Sequence, residues 1–259
     1  MPTLEVPRVE CVEYGKTGIN VSRLTFGTIP FGGMGWRKDP AVSPEEGGQI
    51  LKRALKLGIN CWDTAEGYGT HPHIREGLRG LRRSDVIVAT KTHAKTLTEV
   101  RERIRRSLEG MDTDYIDIYY LHYINSVEEY RARFGALRAL QEAKDEDLIR
   151  LIGVSTHTAE VLNAVSELPE VDVVLAKVNK TGRGMESRLD DMLSALKKVY
   201  ESGKGVSIMK ILAYGDLDVT AGLQFSLNLP YVHSICLGMR TVQELEVDVR
   251  IFQDLSAGC

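Results

Sequence analysis

The sequence predicts an α/β protein, a (β/α)8 barrel with a β-hairpin closing its N-terminal end, and three observations carry that prediction. From about residue 24 onward, short β-rich runs alternate with amphipathic stretches at helical spacing, the pattern of parallel strands joined by helical crossovers. The alternation repeats eight times, the number that closes such a barrel. Ahead of it, ECVEYGKTGINVSRL has two short β-type runs around Gly15-Lys16-Thr17-Gly18, which predict a hairpin able to plug the N-terminal mouth.

Leu24-Thr25-Phe26-Gly27 is the first barrel strand. A helix with Ile50, Leu51, Ala54 and Leu57 on one face leads to the second strand, Ile59-Asn60-Cys61-Trp62. A helix near 73–82 precedes VIVAT at 86–90, and the face of Val100, Ile104 and Leu108 precedes YIDIYYL at 115–121. One helix carrying Tyr130, Phe134, Leu137 and Leu140 then leads to LIGV at 151–154. A short helix around Val161 and Val165 precedes strand six, 171–175. Met185, Leu189, Met192, Leu196 and Val199 line the next helical face, before the strand at 206–209. A helix near 219–228, a strand at 232–236 and a last helix with Leu245, Val249 and Phe252 complete eight strands and eight helices.

No Pro/Gly/Ser-rich linker or low-complexity stretch interrupts this rhythm, so residues 1–259 are expected to form one barrel domain. A net charge of −3 gives no general reason to expect nucleic acid as a partner. No apolar run approaches the ~20 residues that span a bilayer, and MPTLEVPRVE lacks the basic and apolar segments of a secretory signal. A soluble, cytoplasmic protein without a membrane partner is the expectation. Cys11, Cys61, Cys236 and Cys259 form no CxxC pair and read as reduced packing residues. His71, His73 and His93 lack a carboxylate or thiolate cluster at ligand spacing, so no metal is expected. The arginines of 101–106 and 79–83 read as solvated helix faces.

Barrel enzymes place their chemistry where strands run out at the C-terminal face. Strand two ends in Asp63, with Tyr68 five residues on; strand three ends in Lys91 and strand four in His122. A phenol, with an ordinary pKa of about 10, donates a proton poorly near neutrality unless a cation stabilises its phenolate. Lys91 supplies such a cation, Asp63 a counter-ion that holds it charged, and His122 a donor to a carbonyl oxygen on which negative charge develops. The set suits carbonyl reduction.

NCWDTAEGYG, VATKT and YLHY resemble, in that order, the Asp, Tyr, Lys and His segments of the aldo-keto reductases. YGKTGINVSRLTFGT is similar to that family's hairpin and first strand, IGVST to its fifth strand end, and LGMRTVQELEVDV to its cofactor segment. The resemblance implies NAD(P)H-dependent reduction of a small aldehyde or ketone to an alcohol, with Tyr68 as general acid. It implies a nicotinamide cofactor extended across the barrel mouth without a Rossmann unit. Gly32-Gly33-Met34-Gly35 leads into a loop rather than a helix and so is not a phosphate-binding fingerprint.

By position, the resemblance carries Gly27, Thr28, Asp63, Ser155 and Thr156 to the nicotinamide half. It carries Met209, Lys210, Ile211, Leu212, Gly238, Met239 and Arg240 to the phosphates and adenosine, with Glu244 and Asp248 in the following segment. Backbone amides at Gly238 and the helix start are expected to meet phosphate. Phe31, Trp36 and Tyr123 are placed by analogy to line a substrate pocket. The chain departs from the family pattern where Thr156 replaces Asn, where Leu175 or Ala176 replaces the strand-six Gln, and where Met209 replaces a stacking aromatic. Glu244 stands where NADP-preferring members often carry Arg, whereas Arg240 would attract a 2′-phosphate. NADP(H) is favoured over NAD(H) on that residue. Two other readings compete, a cofactor-binding regulatory subunit with little turnover and a Schiff-base lyase using Lys91. Oligomeric state and physiological substrate are not legible.

Overall fold

The predicted strands are realised as eight parallel strands that close on themselves. In the computed structural model, which describes residues 8–32 and 41–257, these are β3 (Leu24–Gly27), β4 (Cys61–Asp63), β5 (Ile87–Thr92), β6 (Ile116–Leu121), β7 (Ile149–Thr156), β8 (Val173–Lys177), β9 (Gly205–Met209) and β10 (Ser234–Gly238). Each pairs in parallel with its neighbour, and β10 pairs with both β9 and β3, which closes the barrel. Side chains alternate between an outer layer under the helices and an inner layer on the barrel axis. The three residues after Gly32 in the glycine-rich run, together with Trp36 and Cys259, lie outside the described residues.

The hairpin, β1 (Cys11–Glu13) with β2 (Asn20–Ser22), is antiparallel and closes the bottom. Tyr14, Ile19 and Val21 enter the inner apolar cluster with Cys61, Tyr120 and Leu175. The Tyr14 hydroxyl shares a 2.7 Å hydrogen bond with Ser207. Two inner positions must be glycine for this packing: a Cβ on Gly205 would lie 2.7 Å from the Tyr14 ring, and one on Gly153 would lie 2.2 Å from the Tyr120 ring.

The helices are α1 (Pro44–Lys56), α2 (His71–Leu78), α3 (Leu97–Met111), α4 (Val127–Ala132), α5 (Phe134–Asp145), α6 (Ala159–Ser166), α7 (Leu189–Glu201), α8 (Val219–Leu227) and α9 (Val242–Ser256). Ser43, Ser126, Thr158, Asp218 and Thr241 each cap a helix by accepting a first-turn N–H, and Thr96 with Glu99 forms a reciprocal capping box. The arginines of α3 are held at the surface by Glu102, Glu109 and Glu146.

Four expectations are corrected. The single helix expected through Tyr130 and Leu140 is two, α4 and α5, so nine α-helices are described rather than eight. The break falls at Arg133, whose buried guanidinium turns inward to pair with Glu129 and donate to the His122 carbonyl oxygen at 3.2 Å. Phe134 is consequently 69% exposed instead of packed. Strand six is shifted two residues onward, which puts Lys177 on the barrel, and Met185 precedes its helix rather than joining it. Cys11 is exposed, so it is not a packing residue.

Candidate active site

Asp63 is the last residue of β4, Lys91 the fifth of β5, and His122 follows β6 directly, so three adjacent strands deliver their polar ends to one rim. Tyr68 arrives on the short 3-10 turn Glu66–Tyr68, closed by Gly69 in a left-handed conformation that glycine adopts without strain. Thr28 and Thr64 both hydrogen-bond the Thr70 hydroxyl, at 2.8 and 2.7 Å, and tie this turn to β3 and β4. Gly32 packs on the turn from the side: a Cβ there would lie 2.2 Å from the Tyr68 carbonyl oxygen. The phenol's position is therefore set by backbone packing on two flanks.

Lys91 is 1% exposed, and its Nζ donates to Asp63 Oδ1 at 2.6 Å and to the Thr64 carbonyl oxygen at 2.7 Å. Burial alone would lower its pKa, but the Asp63 carboxylate and the Tyr68 phenol outweigh that, and the ammonium is held above its ordinary value. Asp63 is pushed upward by burial, with Lys91 and the Cys236 thiol opposing. The Lys91 Nζ lies 5.4 Å from the Tyr68 ring centroid. Burial raises the phenol's pKa and Lys91 opposes the rise, so the net direction is upward rather than the lowering that Lys91 alone would cause.

The His122 ring meets the Tyr68 ring edge-on, with centroids 6.0 Å apart, and stacks on the His93 ring at 4.2 Å. Burial, then Lys91 and His93, lower His122 to about 2, so the imidazole is neutral across the physiological range. Nδ1 of His122 is buried without a hydrogen-bond partner among the described residues. His71 and His73 are occupied elsewhere, on the Thr90 hydroxyl at 3.1 Å and the Val42 carbonyl oxygen at 2.9 Å.

The residues carried over for a dinucleotide divide into two groups. Gly27 and Gly238 pair across β3 and β10 at the same rim and present bare backbone; a Cβ on Gly238 would lie 2.8 Å from the Pro30 ring. Ser155 faces inward at the end of β7 and accepts the Tyr123 N–H at 2.9 Å. This glycine cradle, with an inward hydroxyl across the mouth from it, fits a cofactor extended over the barrel. By contrast, Thr28 is engaged with Thr70 and the Asp63 carbonyl oxygen. Thr156 accepts the Thr158 N–H at 3.1 Å on the outer side of the strand. The Ile211 and Met239 side chains are buried in the outer core, and Met209 packs against the inner one.

Lys210, in a left-handed conformation (φ 61°), turns its Nζ toward His157 Nε2 at 3.2 Å. That direction is the β7 side, away from the Gly238–Arg240 flank. Phe31 is fully buried against Phe26 and His73, so it packs the core rather than lining a pocket, whereas Tyr123 is 39% exposed and donates to Glu186.

At the start of α9 two backbone amides already have side-chain partners. Thr241 accepts the Glu244 N–H at 3.0 Å, and the Glu244 carboxylate accepts the Arg240 N–H at 2.7 Å. An acidic side chain thus sits where an anion was expected, and Arg240 donates to the Pro30 carbonyl oxygen at 3.1 Å. One turn on, burial and the Glu244 charge push Asp248 up to about 6. An unfolded chain sheds that proton more readily, so folding loses stability as pH rises from 3.8 through about 6. Asp248→Asn is therefore expected to raise stability at pH 8 by about 1 kcal/mol after solvent screening is allowed for, and by much less at pH 4.5. Urea midpoints at the two pH values measure this; an equal gain at both would contradict it.

Sequence reasoning missed four contributors: Lys177, His157, Arg133 and Cys236. Lys177 was hidden by a strand ended two residues early. Arg133 and His157 reach the rim only through tertiary contacts. Cys236 was read as packing, although its thiol is pushed well above its ordinary pKa by burial and by the Asp63 charge.

Among the described residues, no helix is long and apolar enough to cross a membrane, and no group of three His, Cys, Asp or Glu is placed to hold a metal ion. The model of the aldo/keto reductase family matches residues 23–211. L-galactose dehydrogenase of Arabidopsis thaliana is 27% identical over an alignment covering 96% of this chain and 90% of that protein. NADH-specific methylglyoxal reductase of Escherichia coli is 29% identical, over 69% of this chain and 61% of its own length. Among solved structures, an aldo-keto reductase from Bacillus halodurans in its holo form superposes with a TM-score of 0.74 at 19% identity, covering 96% of both chains. A Bombyx mori aldo-keto reductase in complex with NADP gives 0.69 at 17%, covering 97% of this chain and 92% of the other. The structural likenesses establish the shared fold.

Proposed function

The chain belongs to the aldo/keto reductase family, and from that premise we propose that it reduces an aldehyde or ketone to the alcohol with NAD(P)H, using Tyr68 as proton donor. We read residues 1–259 as one barrel unit with that activity. The observation that carries the reading is the buried Lys91–Asp63 pair, 2.6 Å apart, at the rim shared by Tyr68 and His122. When bound, the reduced nicotinamide supplies hydride to the carbonyl carbon. Tyr68 gives its proton to the carbonyl oxygen, and its raised pKa keeps the phenol loaded at neutral pH. Lys91 stabilises the phenolate that proton transfer leaves behind, and Asp63 holds Lys91 charged. His122, being neutral, offers an N–H to the same carbonyl oxygen as negative charge builds there.

Gly27, Gly238 and the inward Ser155 are the residues that would hold the dinucleotide, with the Met209–Leu212 backbone beneath it. The NADP(H) preference expected from Arg240 is revised in our reading. Glu244 stands on the Arg240 amide with Asp248 behind it, and two carboxylates oppose a 2′-phosphate. NADH is the preferred donor, as it is for the NADH-specific methylglyoxal reductase of Escherichia coli.

Absorbance at 340 nm with a panel of small neutral aldehydes and ketones tests this. Turnover is expected with both cofactors, at a kcat/KM roughly tenfold higher for NADH, the factor that one unfavourable charge contact amounts to. Cofactor binding without turnover of any carbonyl would instead support the regulatory-subunit reading, which Leu175 or Ala176 in place of the strand-six Gln favours. The Schiff-base reading is opposed by the Lys91 ammonium, whose Nζ is committed to Asp63 and Thr64.

A further inference from the structure

Across the mouth from Tyr68, three nitrogen bases stand at neighbouring strand ends, His157 just after β7, Lys177 on β8 and Lys210 just after β9. Lys177, the last residue of β8 and 2% exposed, donates from Nζ to the Tyr214 hydroxyl at 2.6 Å and to the Gly184 carbonyl oxygen. Gly184 leaves it that room, since a Cβ there would lie 2.6 Å from Nζ. Lys210, following β9, donates to His157 at the end of β7, and His157 is itself 5% exposed. The counter-charge is thin: Glu186 lies 3.7 Å from His157 Nδ1 but is engaged by the Tyr123 hydroxyl at 2.7 Å, and Asp216 is paired with Arg183.

We propose that Lys177 and Lys210, backed by His157, form an oxyanion-binding subsite that takes the carboxylate of an acidic carbonyl substrate, so that the preferred substrates are aldehyde or keto acids. This rests on the reductase reading and adds the substrate class to it. Two ammonium groups carried to one rim by adjacent strands, Lys177 pairing with Met209 beside Lys210, repel each other, and an anion between them relieves that repulsion. Burial, then the charges of Lys177 and Lys91, lower Lys210 to about 8, and the same residue contributes to lowering His122. Lys210 is thus within electrostatic reach of the reacting centre. Among the described residues its Nζ hydrogen-bonds His157, which leaves donors on Nζ for a ligand.

The cofactor's diphosphate offers the same oxyanion chemistry. Direction separates the two: Lys210 points across β8 toward β7, the side where Ser155 would hold the nicotinamide half and hence the reacting carbonyl, whereas the Gly238–Arg240 segment carried over for the diphosphate lies on the other side of β9.

The test compares 4-carboxybenzaldehyde with benzaldehyde, by kcat/KM with NADH, in the full chain and in Lys177→Met and Lys210→Met. The acid-to-neutral ratio is expected to be roughly tenfold or more in the parent, the value of one charge-assisted hydrogen bond, and to fall toward one in each variant through KM. If the buried Lys177 variant does not fold, as judged by circular dichroism, Lys210→Met decides. A parent ratio near one, or a ratio retained in the variants, overturns the subsite while benzaldehyde turnover leaves the reductase reading standing. Variants that weaken NADH binding but keep the ratio assign the oxyanion to the cofactor, and also overturn it. If neither aldehyde turns over, the reductase reading fails, and calorimetry with 4-carboxybenzaldehyde judges the subsite alone: binding weakened at least roughly tenfold in the variants supports it, and absence of heat overturns it.

Discussion

Replacing Tyr68 by phenylalanine is expected to lower kcat by roughly three orders of magnitude, within the range that removal of a positioned general acid produces. That factor corresponds to about 4 kcal/mol of lost transition-state stabilisation. The ring itself is retained, so its edge contact with His122 and its place over Lys91 persist. Only the hydroxyl leaves. Cofactor affinity, followed by quenching of protein fluorescence, is expected to change less than threefold, or about 0.6 kcal/mol. A variant that keeps kcat within tenfold of the parent would remove Tyr68 from the role of proton donor.

Lys91→Met is expected to damage both stability and turnover. Asp63, buried beside Lys91, loses the ammonium that compensates its charge, and breaking a buried pair by removing one partner costs about 3–5 kcal/mol. The loss has a pH signature. With Lys91 gone, the main opposition to the upward push of burial on Asp63 is lost, so the penalty is present above the new folded pKa and fades as pH falls through it and the carboxyl takes a proton. The double variant Asp63→Asn/Lys91→Met removes both charges and is expected to regain most of the lost stability without regaining activity. Urea denaturation at pH 5 and pH 8 together with steady-state rates checks both parts; equal destabilisation at the two pH values would mean that the damage is packing rather than charge.

The rim that bears Asp63, Tyr68, Lys91 and His122 was legible in the chain because each lies at, or a few residues beyond, the end of an apolar run. Strand ends are local features. The same logic failed at Lys177, where Ala176 followed by a lysine resembles the end of a strand, although β8 continues because Lys177 pairs with Met209. The cluster of His157, Lys177 and Lys210 joins three segments with no shared periodicity, so nothing local announces it. The break between α4 and α5 was equally hidden: Tyr130, Phe134, Leu137 and Leu140 keep helical spacing through it. What stops the helix is the contact of Arg133 with the His122 carbonyl oxygen. At α9 the chain adds something that spacing does not announce, since the protein's own Glu244 carboxylate stands on the Arg240 amide just before the helix start.

Closure of the barrel through β3 and β10 also constrains how the molecule can be assembled. Phe26 and Gly27 find their second neighbours in Leu237 and Gly238, and Tyr14 finds a hydroxyl partner in Ser207. On a ribosome the first strand must therefore wait, one edge open, until more than two hundred further residues have been translated, a long-range pairing that slows folding and leaves a sticky border exposed meanwhile.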